Sequence, residues 1–192
     1  MDIFHLECSV NDSEHSLTRK YSRMIVEKIK SKHTNVNISY VDLIKENIPF
    51  IDKAYETAMF KPESARTPED EKILASFDLT SFVNADAYVL GIPGYFYNVP
   101  AIFKNWFEHL FRIDTTLTEN WVGLLGGRKI YIVSAWGGEY LNTAIEHSFE
   151  TIIRKSFDLF GLTDITFFNI YHDKITETDN IKAIERAINE II

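Results

Sequence analysis

The chain alternates between two periodicities, and that alternation constrains its fold more than any other feature. Apolar, β-prone runs fall at Ile3 to Cys8, Val36 to Val41, Ala85 to Ile92, Lys129 to Ser134 and Ile165 to Ile170. Helical patterns stand between and after them. Ser16 to Ser31 places Leu17, Tyr21, Met24, Ile25 and Ile29 on one face, and Ala101 to Phe111 does the same with Phe103, Trp106, Phe107, Leu110 and Phe111. Glu69 to Val83 also reads as helix. Leu141 to Phe160 reads as a long helix stopped by Gly161, and the last helix carries Ile181, Ile184, Ile188 and Ile191. Strands that alternate with helices form a parallel sheet covered on both faces, an α/β three-layer sandwich. Right-handed crossovers leave few strand orders. We expect 2-1-3-4-5, which the pattern alone does not fix.

At 192 residues the chain is expected to be a single domain, 1–192, with a substantial core. One segment resists the scheme. Ile44 to Pro68 has weak periodicity and prolines at Pro49, Pro62 and Pro68. Such a connection is either functional or interfacial, or else a surface excursion with a short helix near Lys53 to Met59.

Open parallel sheets bind ligands beyond the carboxyl ends of their strands. The loops after the first, third and fourth strands should therefore converge. The first runs from Cys8 to Ser16 and carries Ser9, Asn11, Asp12, Ser13, Glu14 and His15. Small hydroxyl residues before a helix N-terminus suit a phosphate, although the loop taken alone is better read as plain N-capping by Asp12 or Ser13. The loop has neither the Gly-Lys-Ser/Thr ending of a Walker motif nor any glycine for a dinucleotide turn. The second loop is Pro93-Gly94-Tyr95-Phe96-Tyr97-Asn98-Val99-Pro100, in which three aromatics stand between prolines. They face either a flat ligand or the core and an interface. The third, Ser134-Ala135-Trp136-Gly137-Gly138-Glu139-Tyr140, has paired glycines that let a backbone approach a ligand closely. Three such loops on one edge point to a planar, phosphorylated ligand such as FMN.

Composition excludes other classes. A formal net charge of −8 argues against non-specific nucleic-acid binding and makes an anion site depend on local backbone donors. The one cysteine, Cys8, forms no internal disulfide and is expected to be a small buried side chain in a cytoplasmic protein. The N-terminus lacks a signal-peptide pattern, and no apolar run is long enough for a membrane span. No His or Cys pair has ligand spacing, so no metal site is expected. His109 is expected to be structural or interfacial, and His147 to lie on a helix surface.

On these residues the chain resembles the FMN-dependent NADH-azoreductases and NAD(P)H:quinone oxidoreductases of flavodoxin-like fold. Pro93 to Arg112 is similar to the family pattern Pro-Met-Tyr-Asn-Phe-x-x-Pro-x-x-Leu-Lys-Asn-Trp/Tyr-x-Asp. Thr118-Glu119-Asn120, Gly123 to Lys129, Ile48-Pro49 and Gly161 to Ile165 also match. Ala135-Trp136-Gly137-Gly138 stands where members have Ser-Arg-Gly-Gly.

The resemblance implies a homodimer with FMN near its interface, NADH or NADPH as electron donor, and a planar aromatic small molecule as acceptor. It implies phosphate contacts from Ser9 and from Glu14-His15-Ser16. It also implies ring contacts from Gly94, Tyr95, Phe96 and Tyr97 and from Ala135, Trp136, Gly137 and Gly138. A hydride would pass through the flavin in two half-reactions, so no side-chain catalytic residue is expected. Backbone N–H groups of Gly137 and Gly138 are the expected stabilisers of negative charge on the ring.

Four departures from the family pattern stand out. Gly94 replaces Met, Phe96 replaces Asn, and Glu14 stands where serine is common. A carboxylate about 4 Å from a phosphate costs roughly 1 to 4 kcal/mol at surface-like dielectric, so Glu14 must point away, be offset by His15, or weaken FMN binding. Trp136 is large where a polar residue is usual, and it either packs or walls the flavin. Glu14, Phe96 and Trp136 favour an alternative, a flavin-free or weakly flavin-binding protein with a binding or regulatory role. An electron-transfer flavodoxin ranks last, because the Thr-x-Thr-Gly-Asn-Thr loop is absent.

Overall fold

The structure is a computed structural model that describes residues 1–137, 140, 143–172 and 177–191. Its strands are β1 (Asp2–Glu7), β2 (Asn37–Asp42), β3 (Ala87–Gly91), β4 (Lys129–Gly137) and β5 (Asp164–His172). Its helices are α1 (Leu17–Lys32), α2 (Lys53–Met59), α3 (Pro68–Leu74), α4 (Thr80–Val83), α5 (Ala101–Glu108), α6 (Ala144–Asp158) and α7 (Glu177–Ile191). The strands form one parallel sheet in the order β2-β1-β3-β4-β5, as expected.

Side chains alternate across the sheet with the strand period of two. From β1, Phe4 and Leu6 enter the core on one face, with Tyr88, Leu90, Ile130 and Ile132, beneath α5 and α6. Phe4 stacks on Trp106 of α5 at 5.9 Å between ring centroids. On the opposite face Ile3, Val89, Tyr131 and Val133 pack against Tyr21, Ile25 and Ile29 of α1 and Ile184 of α7. The side chains of Ile188 and Ile191, the rest of the expected α7 stripe, lie outside the described residues.

Two elements depart from the sequence pattern. The helix expected over Glu69 to Val83 is split into α3 and α4. A capping box between Thr67 and Asp70 starts α3. Past Leu74, Arg112 donates to the carbonyls of Leu74 and Phe77, both at 3.1 Å, and Asp78 restarts the chain by accepting from the Thr80 N–H at 2.9 Å. Side chains thus take backbone groups that a continuous helix would use. The fourth strand, expected to end at Ser134, runs on to Gly137. It can do so because β5 pairs with it as far as Gly137 and His172. Ala135, Trp136 and Gly137 are therefore strand residues and not part of a loop.

The segment from Ile44 to Pro68 is an excursion held down from below. Its helix α2 spans Lys53–Met59, where the short helix was expected. Tyr55, Ala58 and Met59 form a small apolar cluster with Leu74. Asn105 Nδ2 donates to the Ile48 carbonyl at 3.1 Å and His109 Nε2 to the Pro49 carbonyl at 2.9 Å. His109 is fully buried, its ring stacked on Phe77 at 4.2 Å, so its role is structural. Burial holds its pKa below the usual imidazole value.

The loop that leads into β4 meets the end of α6 at backbone distance. A Cβ built on Gly123 would lie 2.0 Å from the carbonyl carbon of Phe160 and 2.1 Å from the Gly161 nitrogen. Main chain cannot give way there as a flexible side chain can. Gly123→Ala is expected to destabilise the fold by about 2 to 3 kcal/mol in urea denaturation. Gly126→Ala, whose Cβ would meet its nearest neighbour only at 3.7 Å, should cost far less; equal losses would show that this close approach is misread.

Candidate functional site

The site forms where the ends of β1, β3 and β4 meet, and its base is a buried charge cluster that the sequence pattern conceals. The alternation that puts Phe4 and Leu6 on one face of β1 puts His5 and Glu7 on the other, against α1. Both are buried. Glu7 receives Arg19 Nη1 at 2.6 Å, Arg23 Nη2 and Nε at 2.9 Å each, and the Tyr40 hydroxyl at 2.6 Å. Burial alone would push its carboxyl up, but the hydrogen bonds from Arg23 and Tyr40 outweigh that and hold it below the usual range. Asp42, at the end of β2, grips Arg19 side-on at 2.8 and 2.9 Å. His5 Nε2 meets Ser22 Oγ at 3.0 Å. Burial lowers its pKa to about 4, with Glu7 opposing the shift and the two arginines adding to it.

Above this cluster runs the loop from Cys8 to Ser16. Arg19 also donates to its carbonyls, from Nη2 to Ser9 at 2.7 Å and from Nε to Asn11 at 2.9 Å. Ser16 is the N-cap of α1 and accepts from the Arg19 N–H at 3.3 Å. Asp12 makes the turn before it, accepting at 3.1 Å from the N–H groups of both Glu14 and His15. It also takes the His15 ring at 2.7 Å, and that bond, first among its contacts, lowers the Asp12 pKa. His15 therefore pairs with Asp12 and does not offset Glu14. Cys8 is buried, its thiol donating to the Gly91 carbonyl at 3.2 Å, and burial pushes its pKa up.

The aromatic loop after β3 contains a strained turn. Tyr95 and Asn98 exchange both main-chain bonds at 2.9 Å, while Phe96 and Tyr97 between them have φ of +48° and +68°. Positive φ at both central residues is the mark of a type I′ connection, normally built from Asn and Gly. Placing two aromatics there costs about 1 kcal/mol or more each, and strain of this kind clusters at binding sites. The turn leaves Phe96 97% exposed and Tyr97 60% exposed. Tyr95 points the other way, its hydroxyl 3.3 Å from Ser9 Oγ and 3.4 Å from the Val10 N–H.

Trp136 of β4 is buried, and it packs. Its Nε1 donates to Ser134 Oγ at 2.8 Å, and Phe149 meets its ring edge-on at 4.8 Å. It occupies the space that Gly94 leaves: a Cβ on Gly94 would fall 2.5 Å from the indole. The glycine and the tryptophan, two separate departures in the sequence, are one steric exchange.

These pieces enclose two adjoining cavities. One of about 320 Å³ is lined by Ser9, Asn11, His15, Ser16, Leu17, Thr18, Pro93, Gly94, Tyr95, Ala135, Trp136 and Gly137. The other, about 170 Å³, is lined by Gly94, Phe96, Tyr97, Trp136 and Tyr140. Gly94 and Trp136 belong to both. Every ligand contact expected in the three loops lines one or the other, except Glu14, which lines neither, and Gly138, which lies outside the described residues. Asn11 and Thr18 were missed as lining residues, and Arg19, Glu7 and Asp42 as their support. The available signal was the pair of arginines four apart on α1, facing charged residues in a buried strand. The larger cavity is polar where it meets the start of α1 and aromatic towards the smaller one. Among the described residues, no group of His, Cys, Asp and Glu could hold a metal ion.

A parallel sheet of this order, with a site of hydroxyls, backbone N–H groups and aromatics at its carboxyl end, defines a flavodoxin-type α/β protein. The family model for the flavodoxin-like fold matches residues 1–192, and the chain belongs to that family. It is 34% identical over 202 residues to an FMN-dependent NADH:quinone oxidoreductase of Nostoc punctiforme, covering 100% of this chain and 98% of the relative. It is 31% identical over 192 residues to another protein of that description from Trichormus variabilis, covering 97% and 92%. Among solved structures, an FMN-dependent NADH-azoreductase from Bacillus anthracis in complex with FMN superposes with a TM-score of 0.81 at 21% identity, over 100% of this chain and 99% of that one.

Two predictions follow from the site's packing. Gly94→Ala should destabilise the protein by about 1 to 3 kcal/mol, and in a Trp136→Phe background it should cost much less. A double-mutant cycle in urea reads the coupling; purely additive effects would mean that the two residues do not exchange space. The second concerns pH. His5 stays neutral in the folded state down to about 4, whereas unfolded histidine protonates near 6.5. The unfolded state binds more protons between those values, so this stability is present above pH 6.5 and is lost as pH falls towards 4. It amounts to about 2 to 3 kcal/mol at pH 4.5. His5→Gln should flatten the decline between pH 7 and 4.5 by that amount, and an unchanged slope would assign the decline to carboxylates alone.

Proposed function

We propose that this chain is an FMN-dependent oxidoreductase that takes a hydride from NADH and reduces a quinone, azo or similar planar acceptor. The observation that carries the reading is the paired cavity, which suits a ligand phosphorylated at one end and flat and aromatic at the other. The residues fit FMN. Hydroxyls of Ser9, Ser16 and Thr18, with main-chain N–H groups at the start of α1, would hold the phosphate by neutral dipoles. Tyr95, Phe96, Tyr97 and Trp136 would flank the ring, and Ala135 and Gly137, with Gly138 after them, would approach it through the main chain. The chemistry such a cofactor supplies is a two-electron relay from the nicotinamide donor to the acceptor. The chain's own part is to bind, orient and exclude water, with no side-chain nucleophile.

The flavin-free alternative loses its footing. Glu14 lines neither cavity, and Trp136 fills space that Gly94 vacates. The relatives, 34% and 31% identical over nearly the whole chain, bear descriptions that include FMN and NADH.

The same reading makes the protein a homodimer of single-domain chains. A groove of about 840 Å³ beside the site is lined by the exposed apolar side chains of Val10, Ile44, Phe96 and Ile152. Contiguous exposed apolar surface of this kind marks an interaction face, and a second copy there would cover Phe96 and complete the ring site. The cytoplasm is the proposed location, supported by a single buried cysteine. No helix among the described residues is long and apolar enough to cross a membrane.

Purified protein should carry, or take up on titration, one equivalent of FMN per chain with a flavin absorption band. Anaerobic NADH should bleach that band, and a quinone should restore it. A colourless protein that takes up no FMN overturns the proposal, as does bound flavin that neither NADH nor NADPH reduces.

A further inference from the structure

We infer that Arg19 is a positioning residue that makes the loop after β1 selective for a phosphorylated ligand, acting through the main chain of Ser9 and Asn11. The inference rests on the FMN reading above and adds a residue outside both cavities to it.

All five N–H groups of the Arg19 guanidinium have acceptors. Nε bonds the Asn11 carbonyl at 2.9 Å and Nη2 the Ser9 carbonyl at 2.7 Å. The other three go to Glu7 and to both oxygens of Asp42, at 2.6 to 2.9 Å. The side chain is 6% exposed and lines neither cavity. Its fork therefore fixes two carbonyls, two residues apart, against a buried charge pair. A trans peptide points its N–H opposite to its C=O, so carbonyls held towards Arg19 turn the N–H groups of Val10 and Asp12 away from it. The Val10 N–H does reach towards Tyr95 at the cavity, 3.4 Å from its hydroxyl. Arg23 offsets the second carboxylate, and His5 is neutral near pH 7. The two arginines balance the two carboxylates, with the exposed Lys45 ammonium 3.6 Å from Asp42 at the rim, and Arg19 acts on the loop by fixing dipoles. Lysine has three donors where arginine has five in a rigid plane, and cannot serve both carbonyls and both carboxylates.

FMN and riboflavin differ only by the phosphate, so their affinity ratio reads the loop separately from the ring site. The probes are FMN and riboflavin titrated, by quenching of flavin fluorescence, into full-length protein freed of flavin. Wild type should prefer FMN by at least about tenfold. Arg19→Lys should weaken FMN by about tenfold to a hundredfold, the loss expected for removing one or two charge-assisted bonds that hold the loop. Riboflavin affinity should stay within about threefold. Asp42→Asn, which keeps the guanidinium but loosens its side-on grip, should shift the ratio the same way by less. It also serves as the test if the lysine variant does not fold. A folded Arg19→Lys or Asp42→Asn protein with an unchanged ratio overturns the inference, as does equal loss of both flavins, which would mean a general structural role. If wild type takes up neither flavin, the FMN reading itself fails and the inference falls with it. If wild type binds both and the ratio alone fails to move, only the inference is lost.

Discussion

A guanidinium buried between two carboxylates is costly to place, and its removal leaves charges with no partner. In this chain that arrangement joins three segments far apart in sequence: Glu7 at the end of β1, Asp42 at the end of β2, and Arg19 in the first turns of α1. The same side chain holds the Ser9 and Asn11 carbonyls. The loop between β1 and α1 contains no glycine to give it a special conformation, and its shape comes from this anchor together with the Asp12 turn and the Ser16 cap. The floor of the larger cavity is therefore a consequence of the charge cluster beneath it.

The opposite wall is set by sterics. Gly94 and Trp136 share one volume, and the indole is fixed from behind by Ser134 and Phe149. Ser134 in turn bonds Asn169 of β5, so the length of β5 decides where Trp136 stands. Next to this rigid wall the chain holds two aromatics in a left-handed turn that such residues avoid. Phe96 and Tyr97 are presented outward at a cost in backbone strain, beside a groove that is apolar and open. In the homodimer reading, a partner's surface would cover Phe96 and offset that cost.

The excursion before α3 shows how a weakly patterned segment becomes ordered. It contributes no strand, and its carbonyls would be poorly satisfied under packed side chains. Asn105 and His109 supply the missing donors from the end of α5, and Arg112 does the same for the break between α3 and α4. The helix that follows the aromatic loop thus has two tasks. Its apolar stripe seats the sheet through Phe103, Trp106 and Phe107, and its polar residues tie down the excursion.

The sequence by itself determined the α/β class, the alternating elements, the strand order as one of few choices, and the three loops that meet at the site. Periodicity is local, and short-range patterns carry that information. Ser9, Ser16, Tyr95 and Gly137 could be nominated because the loops that carry them resemble those of a known family, whereas residue type alone left N-capping and packing open. Tertiary structure alone decided the rest. The extension of β4 through Trp136 depends on a partner strand about 35 residues further on. The division of the expected Glu69 to Val83 helix depends on Arg112, beyond the next strand and helix. Arg19 looked like one more charged residue on a helix, since its acceptors lie on two separate strands and on the loop. Long-range hydrogen bonds and steric exchange leave no periodic trace, and only the folded chain reveals which residues they join.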